Sequence, residues 1–145
     1  MIEWQLAELI PHAGDMILID QVLDFDEEQI NTRLTVRADG LFNQPDGSLP
    51  AWLGIELMAQ SVAAYAGCQA RSKGEAVKLG FLLGSRKFDC NVARFPAAWQ
   101  RTAHSLAVRS LQDVQRHGCV RMHLTGPDIT AFARLNVYCP PNTAD

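Results

Sequence analysis

The spacing of apolar residues along the first third of the chain predicts three elements. Segment 2–9 has apolar residues at helical spacing, which predicts a short amphipathic helix that ends before Pro11. The nearly continuous apolar run at 16–23 predicts a buried strand, and the period-two alternation at 30–36 predicts a second one. An acidic turn separates the two strands, so an antiparallel hairpin is the expected pairing.

The most hydrophobic segment, residues 47–70, predicts one long helix at the centre of the fold. Pro50 suits the first helical position, the helix is expected to run to about Ser72, and Gly74 falls just past its end. Small residues are frequent along this helix, so a sheet is expected to approach it closely on more than one side. They are Ala59, Ala63, Ala64, Ala66, Gly67 and Ala70.

The rest of the chain has the alternation that is typical of strands. Four strands are predicted there, at 79–88, 102–114, 119–124 and 129–138. Gly80 and Gly84 are expected to bend the first of them, and the last three are expected to form an antiparallel meander. The order of elements predicts an α+β fold with one antiparallel sheet curled around one buried helix, in a single domain that covers residues 1–145.

Glu56 is the only charged residue in the apolar segment 47–70, which makes it the leading functional candidate. A carboxylate in a buried helix is costly unless it is paired, hydrogen-bonded or protonated. No residue three or four positions away is basic, so an ion pair within the helix does not explain it. Such a carboxyl group suits proton donation near neutral pH. The structural alternative is a carboxylate satisfied by the backbone or by an arginine of the sheet, Arg109 or Arg134.

Composition and charge narrow the classes of protein to consider. With 48% hydrophobic and 20% charged residues the chain suits a globular domain, and the central Glu56 argues against a membrane span. The acidic N-terminus predicts no secretory signal. Residues 1–56 carry 11 acidic and 2 basic side chains, whereas residues 57–145 carry 5 acidic and 11 basic ones. The basic part either suits an acidic partner or is a set of scattered solvated residues, and no motif indicates nucleic-acid binding.

The cysteines lie far apart in the sequence. They are Cys68, Cys90, Cys119 and Cys139, with no CxxC pair. This spacing predicts neither a metal site nor a dense disulfide framework, and we expect no cofactor. A reduced, cytoplasmic location is the simplest interpretation.

Two motifs make the sequence similar to the bacterial 3-hydroxyacyl-(acyl carrier protein) dehydratases. Residues 10–12 and 16–23, IPH followed by MILIDQVL, resemble the opening motif of these enzymes. Residues 49–50 and 56–60, LP followed by ELMAQ, resemble their helix motif. The resemblance implies a hot-dog fold, in which an antiparallel sheet wraps one long central helix.

The chain departs from that family at Phe42. The family places its catalytic histidine in a loop fourteen residues before the helix glutamate, where this chain has Phe42. A divergent branch of dehydratases, found among the enzymes that build aryl polyenes and related lipids, resembles the chain more closely. That branch shares an opening motif PHxGxM, here residues 11–16, and a GFLLG strand, here residues 80–84.

The resemblance implies dehydration of a 3-hydroxyacyl thioester to a trans-2-enoyl thioester, which needs a base at C2 and an acid at the C3 hydroxyl. Glu56 is the candidate acid and His12 the candidate base, although His12 is also interpretable as a structural loop residue. Gln60, one turn after Glu56, either orients the carboxyl group or satisfies a buried hydrogen bond. Leu53 and Phe81 are candidates to line an apolar tunnel for the acyl chain, but the core would use the same residue types.

The other histidines are weaker candidates. His117 is predicted in a hairpin turn, whereas His104 and His123 are predicted on strands. His123 alternates with an apolar series, so we expect it to be exposed.

Partners and competing functions follow from the same resemblance. The substrate is expected on an acyl carrier protein, whose acidic surface suits the basic part of the chain. At least a homodimer is expected, with a higher oligomer or a second dehydratase subunit as further options. Two alternatives stay open, an acyl-thioester hydrolase that uses Glu56 as base or nucleophile and a non-catalytic hot-dog subunit paired with an active dehydratase. An enoyl product distinguishes the dehydratase from the hydrolase.

Overall fold

Helices and strands account for most of the described part of the chain. The computed structural model describes residues 4–10, 14–26, 29–37, 41–74, 81–96, 105–112, 117–126 and 128–138. In chain order the elements are α1 (Leu6–Leu9), a 3₁₀ turn (Gly14–Met16), β1 (Gln21–Phe25), β2 (Gln29–Thr35), β3 (Leu49–Pro50), a 3₁₀ turn (Ala51–Leu53), α2 (Gly54–Ser72), β4 (Phe81–Cys90), β5 (Arg94–Phe95), β6 (Ser105–Gln112), β7 (His117–Gly126) and β8 (Ile129–Tyr138).

The main sheet has the strand order β1-β2-β6-β7-β8-β4, and each neighbouring pair is antiparallel. The predicted hairpin of β1 with β2 is confirmed, with Phe25 opposite Ile30. The predicted meander β6-β7-β8 is confirmed as well. β4 pairs with β8 at one side of the sheet, and its register shifts at Gly84, where the sequence predicts a bend. β3 and β5 form a separate two-stranded pair.

The long helix α2 packs across the main sheet and contacts all six of its strands. Alternate residues of β2 are buried because they face this helix, and the same holds for β7 and β8. These inward residues include Ile30, Thr32 and Leu34 of β2, Met122 and Leu124 of β7, and Ile129, Ala131, Ala133 and Leu135 of β8. The predicted α+β arrangement of a sheet around one central helix is therefore confirmed. Within the described residues, none of the helices is both long enough and apolar enough to span a bilayer.

The two ends of α2 differ in how well the sequence predicts them. The C-terminal end is confirmed, since α2 ends at Ser72 and Gly74 has a φ of 71°, a left-handed conformation that glycine adopts without a steric cost. The predicted start is wrong, since α2 begins at Gly54. Pro50 lies in β3, and its pairing with β5 keeps it extended with a ψ of 137°.

The predicted strand at 16–23 is wrong over its first half, because β1 begins at Gln21. Peptide groups of Met16 and Leu18 bond to a side chain of α2, that of Gln60, instead of to a neighbouring strand. A continuous apolar run therefore marks a buried segment here, and only its second half joins the sheet.

Two further predictions need correction. His117 is not in a hairpin turn, because β7 begins at this residue and places it opposite Tyr138. At Gly67 the element that comes closest is α1 and not the sheet. A Cβ atom at Gly67 would clash with the carbonyl oxygen of Leu9, so only glycine allows this contact.

Candidate active site

Glu56 and Gln60 lie one turn apart on α2 and are joined by a hydrogen bond. The Nε2 group of Gln60 donates to Oε2 of Glu56 at 3.0 Å. Gln60 is fully buried, whereas Glu56 is half-buried. The prediction that Glu56 is buried is therefore wrong. Glu56 lies in the first turn of α2, one turn after Trp52, which is 65% exposed, so this end of the helix reaches the protein surface.

Gln60 also anchors the segment that leads into β1. Its Oε1 accepts a hydrogen bond from the backbone N–H of Leu18 at 2.9 Å, and its Nε2 donates to the carbonyl oxygen of Met16 at 2.8 Å. Both kinds of contact expected for Gln60 are present, a hydrogen bond to Glu56 and hydrogen bonds to buried backbone groups. The sequence analysis missed the contribution of Met16 and Leu18. Backbone partners more than forty residues away leave no local signal in a sequence.

A second buried polar contact lies next to Gln60 on the helix. The hydroxyl groups of Thr32 and Ser61 are 2.8 Å apart, and Ser61 also donates to the carbonyl oxygen of Leu57 at 3.0 Å. Both side chains are fully buried. This contact fixes the position of α2 on β2, because a hydrogen bond between two elements tolerates little sliding. The helix turn that carries Gln60 is therefore held from two sides.

The apolar residues beside Glu56 belong to the core. Leu53 is 4% exposed, and Leu57 and Met58 are fully buried. A small cavity of about 30 Å³ lies between the helix and the sheet. Its lining includes Leu18, Leu34, Val36, Asn43, Leu49 and Leu57. That volume holds about one water molecule and is too small for an acyl chain.

The loop at 41–48, which precedes the helix, is held by its own side chains. Asn43 donates from Nδ2 to the carbonyl oxygen of Gly47 at 2.7 Å. Asp46 accepts a hydrogen bond from the Ser48 hydroxyl at 2.6 Å and forms an exposed ion pair with Arg94 at 2.9 Å. The hydrogen bonds from Ser48 and the nearby Arg94 lower the pKa of Asp46 from its ordinary value. Phe42, at the position of the family histidine, packs half-buried against the core.

Several candidate residues lie outside what the structure describes. His12 and His104 are outside the described residues. The side chains of Phe81 and Arg109 are outside them as well, although the backbone of Phe81 begins β4 and that of Arg109 lies in β6. The roles predicted for these residues therefore stay predictions.

The described candidates on the sheet point away from α2. His123 is exposed on β7, as predicted. Arg134 is exposed on the sheet face opposite to α2, between the buried Ala133 and Leu135. Among the described residues, no group of three or more His, Cys, Asp and Glu side chains is placed to hold a metal ion.

A family model and one solved structure both indicate a dehydratase. A family model with the description ApeP-like, ApeP dehydratase, matches residues 4–145. A search of curated proteins found no match. Among solved structures, the chain is similar to the dehydratase heterocomplex ApeI:P from Xenorhabdus doucetiae. The two are 28% identical with a TM-score of 0.85, over 98% of this chain and 95% of that chain.

More distant structures share the fold alone. The PaaI protein of the phenylacetic acid degradation operon of E. coli is 13% identical with a TM-score of 0.59, over 85% of this chain and 80% of that chain. A thioesterase from Haemophilus influenzae is 13% identical with a TM-score of 0.52, over 86% of this chain and 80% of that chain. Identities this low carry no argument about chemistry.

Proposed function

The chain belongs to the ApeP-like dehydratase family, and from that premise we propose that Glu56 and His12 dehydrate a 3-hydroxyacyl thioester held on an acyl carrier protein. The predicted hot-dog fold and the predicted dehydratase activity of the aryl-polyene branch are confirmed by the family and by the related dehydratase structure. The two catalytic residues and the carrier protein are the proposed part.

The hydrogen bonds of Gln60 carry the proposal for the two residues. Gln60 binds Glu56 on one side and the carbonyl oxygen of Met16 on the other. His12 is four residues before Met16 in the sequence, and four residues span at most about 14 Å even when fully extended. This length of chain is compatible with an imidazole near Glu56, and a base and an acid on opposite sides of one substrate need that proximity.

The proposed reaction is a syn- or anti-elimination of water across C2 and C3. A neutral His12 removes a proton from C2, which the thioester makes more acidic, and the electron pair of that C–H bond forms the C2–C3 double bond. The C3–O bond breaks as the carboxyl group of Glu56 gives its proton to the leaving hydroxyl, which departs as water. Proton exchange with solvent then restores both residues. The hydrogen bond from Gln60 keeps the carboxyl group of Glu56 oriented through these steps.

Intact-mass measurement tests this proposal. Purified protein is incubated with a 3-hydroxyacyl group on holo carrier protein, and loss of one water marks dehydration. Glu56→Gln and His12→Ala are each expected to lower the rate by about 10² to 10⁴. Glu8→Gln and His117→Ala are matched controls that are expected to keep the wild-type rate. Unchanged turnover in Glu56→Gln or His12→Ala would refute the assigned role, and release of the free acid by the wild type would indicate a hydrolase.

We extend the proposal to the assembly and its location. The related structure is a dehydratase heterocomplex, so a second dehydratase subunit is a reasonable partner for this chain. Native mass spectrometry after co-expression with a candidate subunit tests this, and light scattering of the chain alone tests for a homodimer. Cys68 and Cys90 are free thiols, which suits a reduced cytoplasmic location. Cell fractionation tests that assignment.

A further inference from the structure

Trp52 is the most exposed of the large apolar side chains in the described part of the chain, at 65%. Four such side chains are exposed there, and two of them, Trp52 and Met16, belong to the segments that carry or contact Glu56. Single exposed apolar residues are common on protein surfaces, whereas apolar residues that gather around one polar group are typical of binding sites. The surroundings of Glu56 therefore have the character of a surface that binds an apolar ligand.

Trp52 lies one helical turn before Glu56. The 3₁₀ turn at Ala51–Leu53 continues into α2 without a break, because Gly54 has helical angles, φ −54° and ψ −32°, and its N–H donates to the carbonyl oxygen of Ala51. Four residues of helix rise about 6 Å. Positions three and four residues apart are neighbours on the surface of a helix, so the indole ring and the carboxyl group belong to one stretch of surface.

The outward side of these first turns is apolar apart from Glu56. Trp52 is exposed, and Ile55, Glu56 and Ala59 are half-buried, whereas the residues between them face the core and are buried. Glu56 is the only charged residue in segment 47–70. A ligand that reaches the carboxyl group of Glu56 from solvent therefore meets an indole ring and aliphatic side chains.

Met16 adds a second exposed apolar side chain at the same place. Its carbonyl oxygen and Oε2 of Glu56 accept hydrogen bonds from the same atom, Nε2 of Gln60, at 2.8 Å and 3.0 Å. The backbone of Met16 is therefore held beside the carboxyl group, and the side chain of Met16 is 44% exposed. Methionine is flexible and adapts to apolar ligands of different shape.

The inward side of the same turns is filled by the core. Leu53, Leu57 and Met58 are buried there, and the cavity beside Leu57 has a volume of about 30 Å³, which is room for about one water molecule. Among the described residues, the space for an acyl chain whose C3 hydroxyl lies at Glu56 is therefore on the outward side of α2, where Trp52 is.

We propose that Trp52 is a specificity-determining residue of the dehydratase, and that its indole ring packs against the acyl chain just beyond C3. The inference rests on the proposed function, because it places the C3 hydroxyl of the substrate at Glu56. An indole ring is flat and rigid, so it stacks best on a chain that is itself flat at this point, as a chain with a double bond at C4 is. Trp52 thereby favours unsaturated over saturated acyl chains.

Substrate selectivity tests this role of Trp52. The wild type and Trp52→Ala are compared on the pantetheine thioesters of 3-hydroxy-4-decenoic, 3-hydroxydecanoic and 3-hydroxybutanoic acid. The ratio of kcat/KM for the decenoyl substrate to that for the butanoyl substrate is expected to fall about tenfold in Trp52→Ala, and the same ratio for the decanoyl substrate is expected to fall less. Trp52→Phe keeps a flat ring and is expected to retain most of the preference, whereas Trp52→Leu is expected to lose it. Leu23→Ala, which truncates another exposed apolar side chain, on β1, is the matched control and is expected to keep the wild-type ratios.

A binding measurement separates this inference from the proposed function. The indole N–H signals of isotope-labelled protein are followed by NMR while the pantetheine thioester of 2,4-decadienoic acid is added, and the signal that is missing in Trp52→Phe identifies Trp52. A larger shift for Trp52 than for Trp4 is expected even if the wild type removes no water from any substrate. A Trp52 signal that does not move, or equal ratios of kcat/KM in the wild type and Trp52→Ala, overturns the inference and leaves the dehydratase assignment standing. Light scattering that shows dissociation of an oligomer in Trp52→Ala, with the wild-type ratios kept, identifies Trp52 as a contact between subunits and overturns the inference as well.

Discussion

The side-chain amide of Gln60 holds the carboxyl group of Glu56 at 3.0 Å, one helical turn earlier on α2. Because Gln60 is fully buried and also binds two backbone groups of the segment at 16–18, it has little freedom to move. The orientation of Glu56 therefore depends on a contact between the helix and the segment that follows His12.

Replacement of Gln60 by leucine is expected to damage both stability and catalysis. The change removes three hydrogen bonds and leaves the backbone groups of Met16 and Leu18 without this partner, so the free energy of unfolding is expected to fall by about 2 to 3 kcal/mol. Misplacement of the carboxyl group of Glu56 is expected to lower kcat by about 10². Urea unfolding and steady-state kinetics on a short thioester measure the two effects.

Gln69→Leu is the matched control for that experiment. Gln69 lies on the same helix and donates a hydrogen bond to a backbone carbonyl oxygen, that of Asp26, at 2.8 Å. Its replacement is expected to cost about 1 kcal/mol and to leave kcat unchanged. If Gln60→Leu lowers stability while kcat stays at the wild-type value, Gln60 is a structural residue only.

The hydrogen bond between Thr32 and Ser61 predicts that substitutions at these two positions have a measurable coupling free energy. The two oxygens are 2.8 Å apart and fully buried. Thr32→Val and Ser61→Ala are each expected to lower the free energy of unfolding by about 1 to 2 kcal/mol. The double variant is expected to lose less than the sum of the two, with a coupling of about 1 kcal/mol. Additive losses in urea unfolding would show that the pair does not join β2 to α2.

The hydrogen bonds of Asp46 in the loop at 41–48 predict that the free energy of unfolding depends on pH in the acid range. The pKa of Asp46 is lowered in the folded protein, mainly by the hydrogen bonds from Ser48, from an ordinary value of 3.8. The stabilisation is therefore present above pH 3.8 and is lost as the pH falls through the lower folded value. Asp46→Asn is expected to flatten this part of the stability curve in urea unfolding between about pH 5 and pH 2.

Ser48→Ala provides the second measurement for the same loop. It removes the hydroxyl that contributes most to the shift in the pKa of Asp46, so it is expected to flatten the acid slope nearly as much as Asp46→Asn. If both variants keep the wild-type dependence of the free energy of unfolding on pH, other carboxyl groups cause the sensitivity to acid.

Gly67→Ala is expected to destabilise the protein although alanine is the better helix former. The new Cβ atom would clash with the carbonyl oxygen of Leu9, which is a backbone atom and cannot rotate away. Overpacking of this kind costs about 1 to 3 kcal/mol, whereas the gain in helix propensity is about 1 kcal/mol. A net loss in thermal or urea unfolding is expected.

Gly54→Ala is the comparison for that change. Its Cβ atom would be 3.3 Å from the ring of Phe88, a side chain that can shift by a few tenths of an ångström. The free energy of unfolding is therefore expected to change little. An equal loss in both variants would mean that glycine is needed in α2 for another reason than the contact with Leu9.

Local patterns account for much of what could be predicted from the sequence. The alternation of apolar and polar residues predicted β2, β7 and β8 and the exposure of His123. Gly74 marked the end of α2, because a helix end of this kind depends on the φ angle of a single residue. The short motifs around His12 and Glu56 were enough to indicate the dehydratase family, which the family model confirms. The catalytic role of His12 stays a prediction, because this residue is outside the described part of the chain.

Contacts between distant parts of the chain decided the rest. The order of α2 and the six strands of the main sheet, the alternation of buried residues and the dehydratase family followed from the sequence alone, because they depend on neighbouring residues or on short motifs. The late start of β1 and the half-exposure of Glu56 needed the tertiary structure. Both depend on contacts between residues that are more than 40 positions apart, such as the hydrogen bond between Gln60 and Leu18. The spacing of residues along the chain does not predict such contacts, because they result from the packing of the whole sheet against α2.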